Sequence, residues 1–192
     1  MLINDLLVLH RTAVRTSVEI VAEVSADDLG KPTPCSEWTL AELLAHMTAQ
    51  HHGFAAAARG TGSDLAAWEV LTSSRPVADY SEAAEDVLAA FAEPEVPQRE
   101  FDLPEFGARF PATQAIGFHL IDYVVHGWDV ARSLGRDYRL APELAEPALR
   151  IALAVPDGEG RLKPGAPFGP ALATDDDPLN RILAALGRSP KW

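Results

Sequence analysis

The chain is poor in cysteine, in basic residues and in long apolar stretches. Its 192 residues include one cysteine, Cys35, which excludes an intramolecular disulfide framework. Lys and Arg total 16 against 28 Asp and Glu, and the net charge of −12 disfavours nucleic acid or an anionic membrane as a partner. No apolar run is long enough to span a bilayer, and the first residues lack a signal-peptide pattern. We therefore expect a cytoplasmic protein that acts on small molecules.

Helical periodicity dominates what is present. Apolar residues at spacings of three and four predict long helices over about residues 2–24, 39–58, 81–93 and 112–134. Thr39 and Glu42 form a capping-box pattern at the start of the second helix, and Gly135 is typical of a helix end. The segment REFDLPEFGARFPAT predicts a β-hairpin or an extended arm. Two shorter helices follow: one that Pro147 is expected to delay, and one with Pro178 in its first turn.

These elements predict an all-α fold: a four-helix bundle with a small hairpin and a short C-terminal helical extension. We expect residues 1–140 to form the bundle and residues 141–192 to pack on the same domain as that extension. Ligand and metal sites in bundles are built from inward-facing side chains on neighbouring helices.

The stretch HLIDYVVHGWDVARSLG carries three such candidates in the fourth helix. His119, Asp122 and His126 lie on one helical face, because each residue turns about 100°. Asp122 and His126 are four residues apart, so their Cβ atoms are about 6 Å apart and both can reach one ion. His119 and His126 are separated by about 10 Å along the axis, which prevents them from sharing an ion. The pair is therefore Asp122 with His126, or His119 with Asp122.

A third ligand is expected from the second helix, where LLAHMTAQHHGF offers three histidines. His46 lies on or beside the apolar stripe and is the preferred candidate over His51 and His52, which cannot both point inward. Two imidazoles and one carboxylate leave coordination positions open, which suits a catalytic zinc ion, with nickel or another transition ion as alternatives. A histidine on an apolar face is, however, more often a hydrogen-bonded core residue, and an Asp-x-x-x-His pair is often only a hydrogen bond.

Several further residues are candidates for contacts with the ligands or the substrate. Each also has a simpler structural interpretation. Asp129 would orient His126 or cap a loop; Arg132 would meet an anionic substrate or the end of its own helix. Trp38 would line the cavity or pack in the core, and His119 would be an outer base or a core residue. Cys35 precedes a helix, where a thiol pKa can be lowered, although a small buried filler is the more common role.

Three segments together resemble a known family. TPCSEWTLAELLAHMTAQ, HLIDYVVHGWDVARSLG and PLNRILAALGRSPKW are similar to actinobacterial hypothetical proteins of the DinB-like superfamily. These are related to the N-terminal domain of mycothiol-dependent maleylpyruvate isomerase. The resemblance spans nearly the whole chain and implies a four-helix bundle, often dimeric, with a metal site. Its ligands would be His46, Asp122 and His126.

The resemblance implies a function only in outline. A divalent ion would activate a thiol such as mycothiol, or a water, for S-transfer, isomerisation or hydrolysis of a small electrophile. The isomerase has Glu where this chain has Asp122, and a substantial C-terminal domain where this chain has residues 141–192. The alternative to an S-transferase or isomerase is a non-catalytic metal- or ligand-binding module, with the Pro/Gly-rich loop near Phe168 and the hairpin as its recognition elements. A structural homodimer with a vestigial site is a third alternative.

Overall fold

Four long helices and one hairpin form the body of the structure. The computed structural model describes residues 2–35, 38–163 and 168–192. The elements in chain order are α1 (Ile3–Val21), α2 (Leu40–Ala58), α3 (Pro76–Phe91), β1 (Glu100–Leu103), β2 (Ala108–Pro111), α4 (Ala112–Ser133), α5 (Pro142–Ala154) and α6 (Pro178–Ala185). Short 3₁₀ turns join several of them. The predicted class, a helical bundle with a small hairpin, is confirmed.

The capping box predicted for α2 is present. The Thr39 side chain accepts a hydrogen bond from the backbone N–H of Glu42, and the Glu42 carboxylate accepts one from the backbone N–H of Thr39. Two otherwise unpaired amide groups at the helix start are thereby satisfied. This cap fixes the first turn of the helix that carries His46.

Two helix starts differ from the prediction. α3 begins at Pro76, five residues before the expected Ser81, because proline's fixed φ suits a first helical turn. α5 begins at Pro142 and continues through Pro147, so the expected delay is wrong. The apolar face of α5, which includes Leu144 and Ala148, is buried, and this burial outweighs the backbone hydrogen bond that Pro147 cannot donate.

The hairpin predicted between the third and fourth long helices is confirmed. β1 and β2 pair antiparallel, with Phe101 opposite Phe110. Gly107 turns the chain with a φ of 59°, a conformation that a side chain disfavours. Phe101 and Leu103 are buried in the core that the hairpin shares with α2 and α4.

The helices pack mainly in pairs. α1 lies along α4, and α2 lies along α3; α5 then packs on α4, and α6 on α5. Residues 178–192 thus return to the end of α4 that carries His126. Within the described residues, no helix is both long and apolar enough to cross a membrane.

Candidate metal centre

Side chains from α2 and α4 converge near one end of the bundle. Ligand atoms of His46, Asp122 and His126 all lie within 4.8 Å of one another. Nε2 of His126 is 3.4 Å from Oδ1 of Asp122, and the rings of His46 and His126 meet edge to face at 5.4 Å. Two donors bound tetrahedrally to one zinc ion at about 2.0–2.1 Å would lie about 3.3 Å apart. The 3.4 Å between Asp122 and His126 matches this spacing, and the three donors are of the types that bind a divalent ion.

Asp129 determines which nitrogen of His126 faces the other two donors. Its Oδ2 accepts a hydrogen bond of 2.9 Å from Nδ1 of His126. Because a neutral imidazole carries one N–H, this bond leaves a lone pair on Nε2, directed towards Asp122. Asp129 is fully buried, so its carboxylate is held in place by the surrounding protein. Of the two roles considered for Asp129, contact with His126 is the one observed.

The two histidines differ in their protonation behaviour. Burial, reinforced by the nearby His126, lowers the pKa of His46 to about 4, so this ring is neutral near pH 7. Burial also acts against the charged form of His126, but the carboxylates of Asp122 and Asp129 outweigh it and raise the pKa of His126. The neutral His46 ring offers a lone pair to a cation. The carboxylates that raise the pKa of His126 favour positive charge beside that ring, and a metal ion on Nε2 would take the place of the proton.

Arg188 completes the surroundings of Asp129 from the far end of the chain. Its Nε lies 3.2 Å from Oδ1 and 3.3 Å from Oδ2 of Asp129, and its Nη2 lies 3.0 Å from Sγ of Cys35. The arginine is 7% exposed. No sequence pattern singles out this residue as part of the site, because an arginine that follows a short helix usually interacts with helix carbonyls or solvent. Only its place in the resemblance segment PLNRILAALGRSPKW offered a signal.

A second group of potential ligands shares His126. Cys35, His126 and Asp129 also bring one ligand atom each to within 4.8 Å of the others. The guanidinium of Arg188, however, contacts both Cys35 and Asp129. A fixed positive charge there opposes a metal ion, whereas the His46 side of the ring contains no basic side chain in contact with its donors among the described residues.

The site is partly open to solvent. The Asp122 side chain is 23% exposed, whereas His126 is buried. The Trp38 ring lies obliquely against the His46 ring, with centroids 4.6 Å apart. Trp38 therefore borders the site, which agrees with the first of its two interpretations, that it lines the cavity. Among the three donors, solvent therefore reaches Asp122 more readily than His126.

His119 belongs to a different cluster. Its Nδ1 is 2.8 Å from Nε2 of His10, and its Nε2 is 3.3 Å from Nδ1 of His51. Both ring nitrogens are occupied, which rules out the alternative pairing of His119 with Asp122. Burial lowers the pKa of all three histidines, for His10 to about 3. Nε2 of His51 has no hydrogen-bond partner among the described residues.

The remaining candidates lie away from the donors or take structural roles. Nε of Arg132 donates to the backbone oxygen of Trp192 at 3.2 Å. This contact is neither of the two that were expected, an anionic substrate or the end of its own helix. His52 is exposed on α2. Burial raises the pKa of Cys35 to about 11, so the lowered thiol pKa considered from sequence is wrong. The recognition loop considered near Phe168 includes residues 164–167, which lie outside the described part of the chain.

The fold and the donor set define a helical bundle with a candidate metal centre between α2 and α4. The family model of the mycothiol maleylpyruvate isomerase N-terminal domain matches residues 10–131. The chain belongs to that family. It is also 33% identical, over 96% of its length and 98% of theirs, to an uncharacterised protein from two strains of Mycobacterium tuberculosis, CDC 1551 / Oshkosh and ATCC 25618 / H37Rv.

Solved structures show the same fold. A crystal structure of a mycothiol-dependent maleylpyruvate isomerase superposes with a TM-score of 0.68 at 16% identity, covering 98% of this chain and 90% of that one. A mutant of the isomerase gives 0.71 at 14% identity, covering 100% of this chain and 91% of that one. The expectation that a substantial domain of the isomerase lacks a counterpart here is therefore wrong.

Proposed function

We propose that this protein is a metal-dependent enzyme that activates a low-molecular-weight thiol such as mycothiol, or a water, for attack on a small electrophile. The proposal depends chiefly on one observation: the donor atoms of His46, Asp122 and His126 lie within 4.8 Å of one another. Zinc is the preferred ion for two imidazoles and a carboxylate, with nickel or another transition ion as alternatives. Membership of the isomerase family supports a thiol as the co-substrate.

Each residue would have a distinct role. His46, Asp122 and His126 would hold the ion, Asp129 would keep Nε2 of His126 directed towards it, and Trp38 would shield His46 from water. When bound, a divalent ion lowers the pKa of a coordinated thiol or water and so supplies a nucleophile near pH 7. Three protein donors leave room for that molecule, and the partly exposed side of Asp122 provides its path.

Asp122 makes the proposed metal site differ in size from one with glutamate at this position. Aspartate is one methylene shorter than the glutamate expected from the resemblance, so its carboxylate reaches less far from α4. A shorter reach draws the ion towards α4 or leaves space for one more exogenous ligand. For this reason we propose the general chemistry, activation of a thiol or water, and treat isomerisation, S-transfer and hydrolysis as outcomes that an assay separates.

The first experiment is elemental analysis of the untagged protein, followed by activity assays on the metal-loaded form. Maleylpyruvate with mycothiol tests isomerisation, an activated haloarene with mycothiol tests S-transfer, and an ester without thiol tests hydrolysis. We expect turnover in at least one assay. Activity should be lost with chelator and return when the metal is added back.

Two variants make the test specific. His126→Ala removes a proposed ligand, and His52→Ala removes an exposed histidine of α2 that faces solvent. We expect the first to lose metal and activity and the second to retain both. Turnover that survives both chelation and His126→Ala would contradict the proposal. Stoichiometric metal without turnover in any assay would instead favour the non-catalytic binding module.

A further inference from the structure

We infer that Arg188 is a positioning residue that reserves His126 for an ion on the His46 side and excludes ions from the Cys35 side. The inference rests on the proposed metal site and adds a residue from the far end of the chain. The guanidinium of Arg188 would have two effects. It holds Asp129 in the orientation that fixes His126, and it occupies the space between Asp129 and Cys35, the only thiol in the chain.

The first effect follows from the hydrogen bonds to Asp129. The Arg188 guanidinium donates from Nε at 3.2 and 3.3 Å and from Nη2 at 3.3 Å, contacting both carboxylate oxygens. Asp129 is fully buried, and a buried carboxylate needs such compensation. With its oxygens held by a planar fork, Asp129 can present Oδ2 to Nδ1 of His126 in only one direction.

The second effect concerns the competing donor set. Without Arg188, the ligand atoms of Cys35, His126 and Asp129 would form a second pocket for a divalent ion. A thiolate is a preferred ligand for zinc and cobalt, so this second pocket would compete for the metal. A chain thiolate on the ion would also resemble a closed structural site and would take a position needed by an external thiol. The guanidinium, 3.0 Å from Sγ of Cys35, prevents both.

Arg188 is held rigidly enough to act in this way. Its backbone N–H donates to the carbonyl of Leu183 at 2.9 Å. The preceding residue, Gly187, has a φ of 76°, and a Cβ there would lie 2.6 Å from the backbone of Gly169. Close backbone packing therefore fixes where the arginine leaves the chain after α6.

Cobalt(II) provides the test, because its spectrum reports its ligands independently of activity. The Arg188→Met protein is loaded with cobalt and compared with wild type. We expect wild type to bind cobalt without a near-ultraviolet thiolate-to-cobalt charge-transfer band. We expect Arg188→Met to gain that band and the double variant Arg188→Met/Cys35→Ser to lose it again. Should Arg188→Met not fold, Arg188→Gln serves instead, since its amide can still donate to Asp129 without a positive charge.

Arg99→Met is the control for a merely structural role. Arg99 is a half-buried arginine whose Nη1 donates to the backbone carbonyl of Ala58 and pairs with Glu93, so it contacts neither Asp129 nor the backbone that supports Arg188. Its substitution should lower stability and leave the cobalt spectrum unchanged.

Each remaining outcome is decisive. A thiolate band in the wild-type protein, or an Arg188→Met spectrum identical to wild type, overturns the inference while the His46 site stands. Wild-type protein that binds no cobalt overturns both the inference and the proposed function.

Discussion

Asp129 accepts a hydrogen bond of 2.9 Å from Nδ1 of His126, three residues earlier in the same helix. That bond selects the tautomer of the imidazole and directs its other nitrogen towards Asp122 and α2. The candidate metal centre thus depends on a buried carboxylate that does not itself belong to the proposed donor set. The same carboxylate is the point at which the C-terminal segment, through Arg188, contacts the site.

Replacing a proposed ligand should abolish metal binding. His126→Ala and His46→Ala each remove one of three protein donors, and two donors hold a divalent ion weakly. We expect elemental analysis and native mass spectrometry to find less than stoichiometric metal in both variants. His52→Ala should bind like wild type, because His52 is exposed on α2. Full metal content in His126→Ala would disprove the donor assignment.

Replacing Asp129 should weaken binding without abolishing it. Asp129→Asn keeps an oxygen near His126 but loses the charge that pairs with Arg188, so the ring is held less firmly. We expect the metal dissociation constant, measured by chelator competition, to rise roughly 10- to 100-fold. Asp86→Asn, which disrupts an exposed ion pair between α3 and Arg59 at the far end of α2, should leave the constant unchanged. Equal affinity in Asp129→Asn and wild type would show that Asp129 does not position His126.

Stability should fall in acid because of the histidine cluster. His10, His51 and His119 are buried, and their pKa values lie below the ordinary 6.5, for His10 at about 3. Below pH 6.5 the unfolded chain takes up protons that the native cluster does not, so the free energy of unfolding decreases as pH falls. Each neutral histidine contributes a slope of up to about 1.4 kcal/mol per pH unit.

Urea unfolding between about pH 5 and pH 6.5 measures this slope above the range where most carboxylates titrate. His10→Phe should reduce the slope by close to one histidine's contribution. The comparison with wild type in the same metal-free buffers cancels the titration of His46 and His126. An unchanged slope in His10→Phe would contradict a neutral buried His10.

Alanine substitutions at two glycines with positive φ distinguish the cost of backbone strain from the cost of a steric clash. Gly135 and Gly187 have φ values of 68° and 76°, but only Gly187 has neighbouring atoms where a Cβ would be placed. Gly135→Ala should lower the free energy of unfolding by about 1–2 kcal/mol through strain alone. Gly187→Ala should lower it further, because its Cβ would lie 2.6 Å from the backbone of Gly169. Equal losses in the two variants would mean that the Gly187–Gly169 contact relaxes without cost.

Local signals in the sequence predict much of the fold. The Thr39 capping box, the Gly107 turn and the three- and four-residue apolar spacing act over one or two turns of chain, so their outcome does not depend on distant residues. Where prediction fails, a longer-range effect decides. α5 continues through Pro147 because its apolar face is buried against the bundle, which no pattern within the helix shows.

Some contacts of the candidate site likewise follow from local helix geometry, and others depend on tertiary packing. The helix repeat by itself places Asp122, His126 and Asp129 within reach of one another, because residues three and four apart are neighbours on a helix. The sequence also singled out His46, but its proximity to α4 depends on how the bundle packs. Tertiary structure alone brings Arg188 beside Asp129, 59 residues away along the chain, and places His119 between His10 and His51 rather than beside Asp122. Local geometry follows from a repeat of 3.6 residues, whereas contacts between distant segments follow from the burial of surfaces that no local pattern pairs.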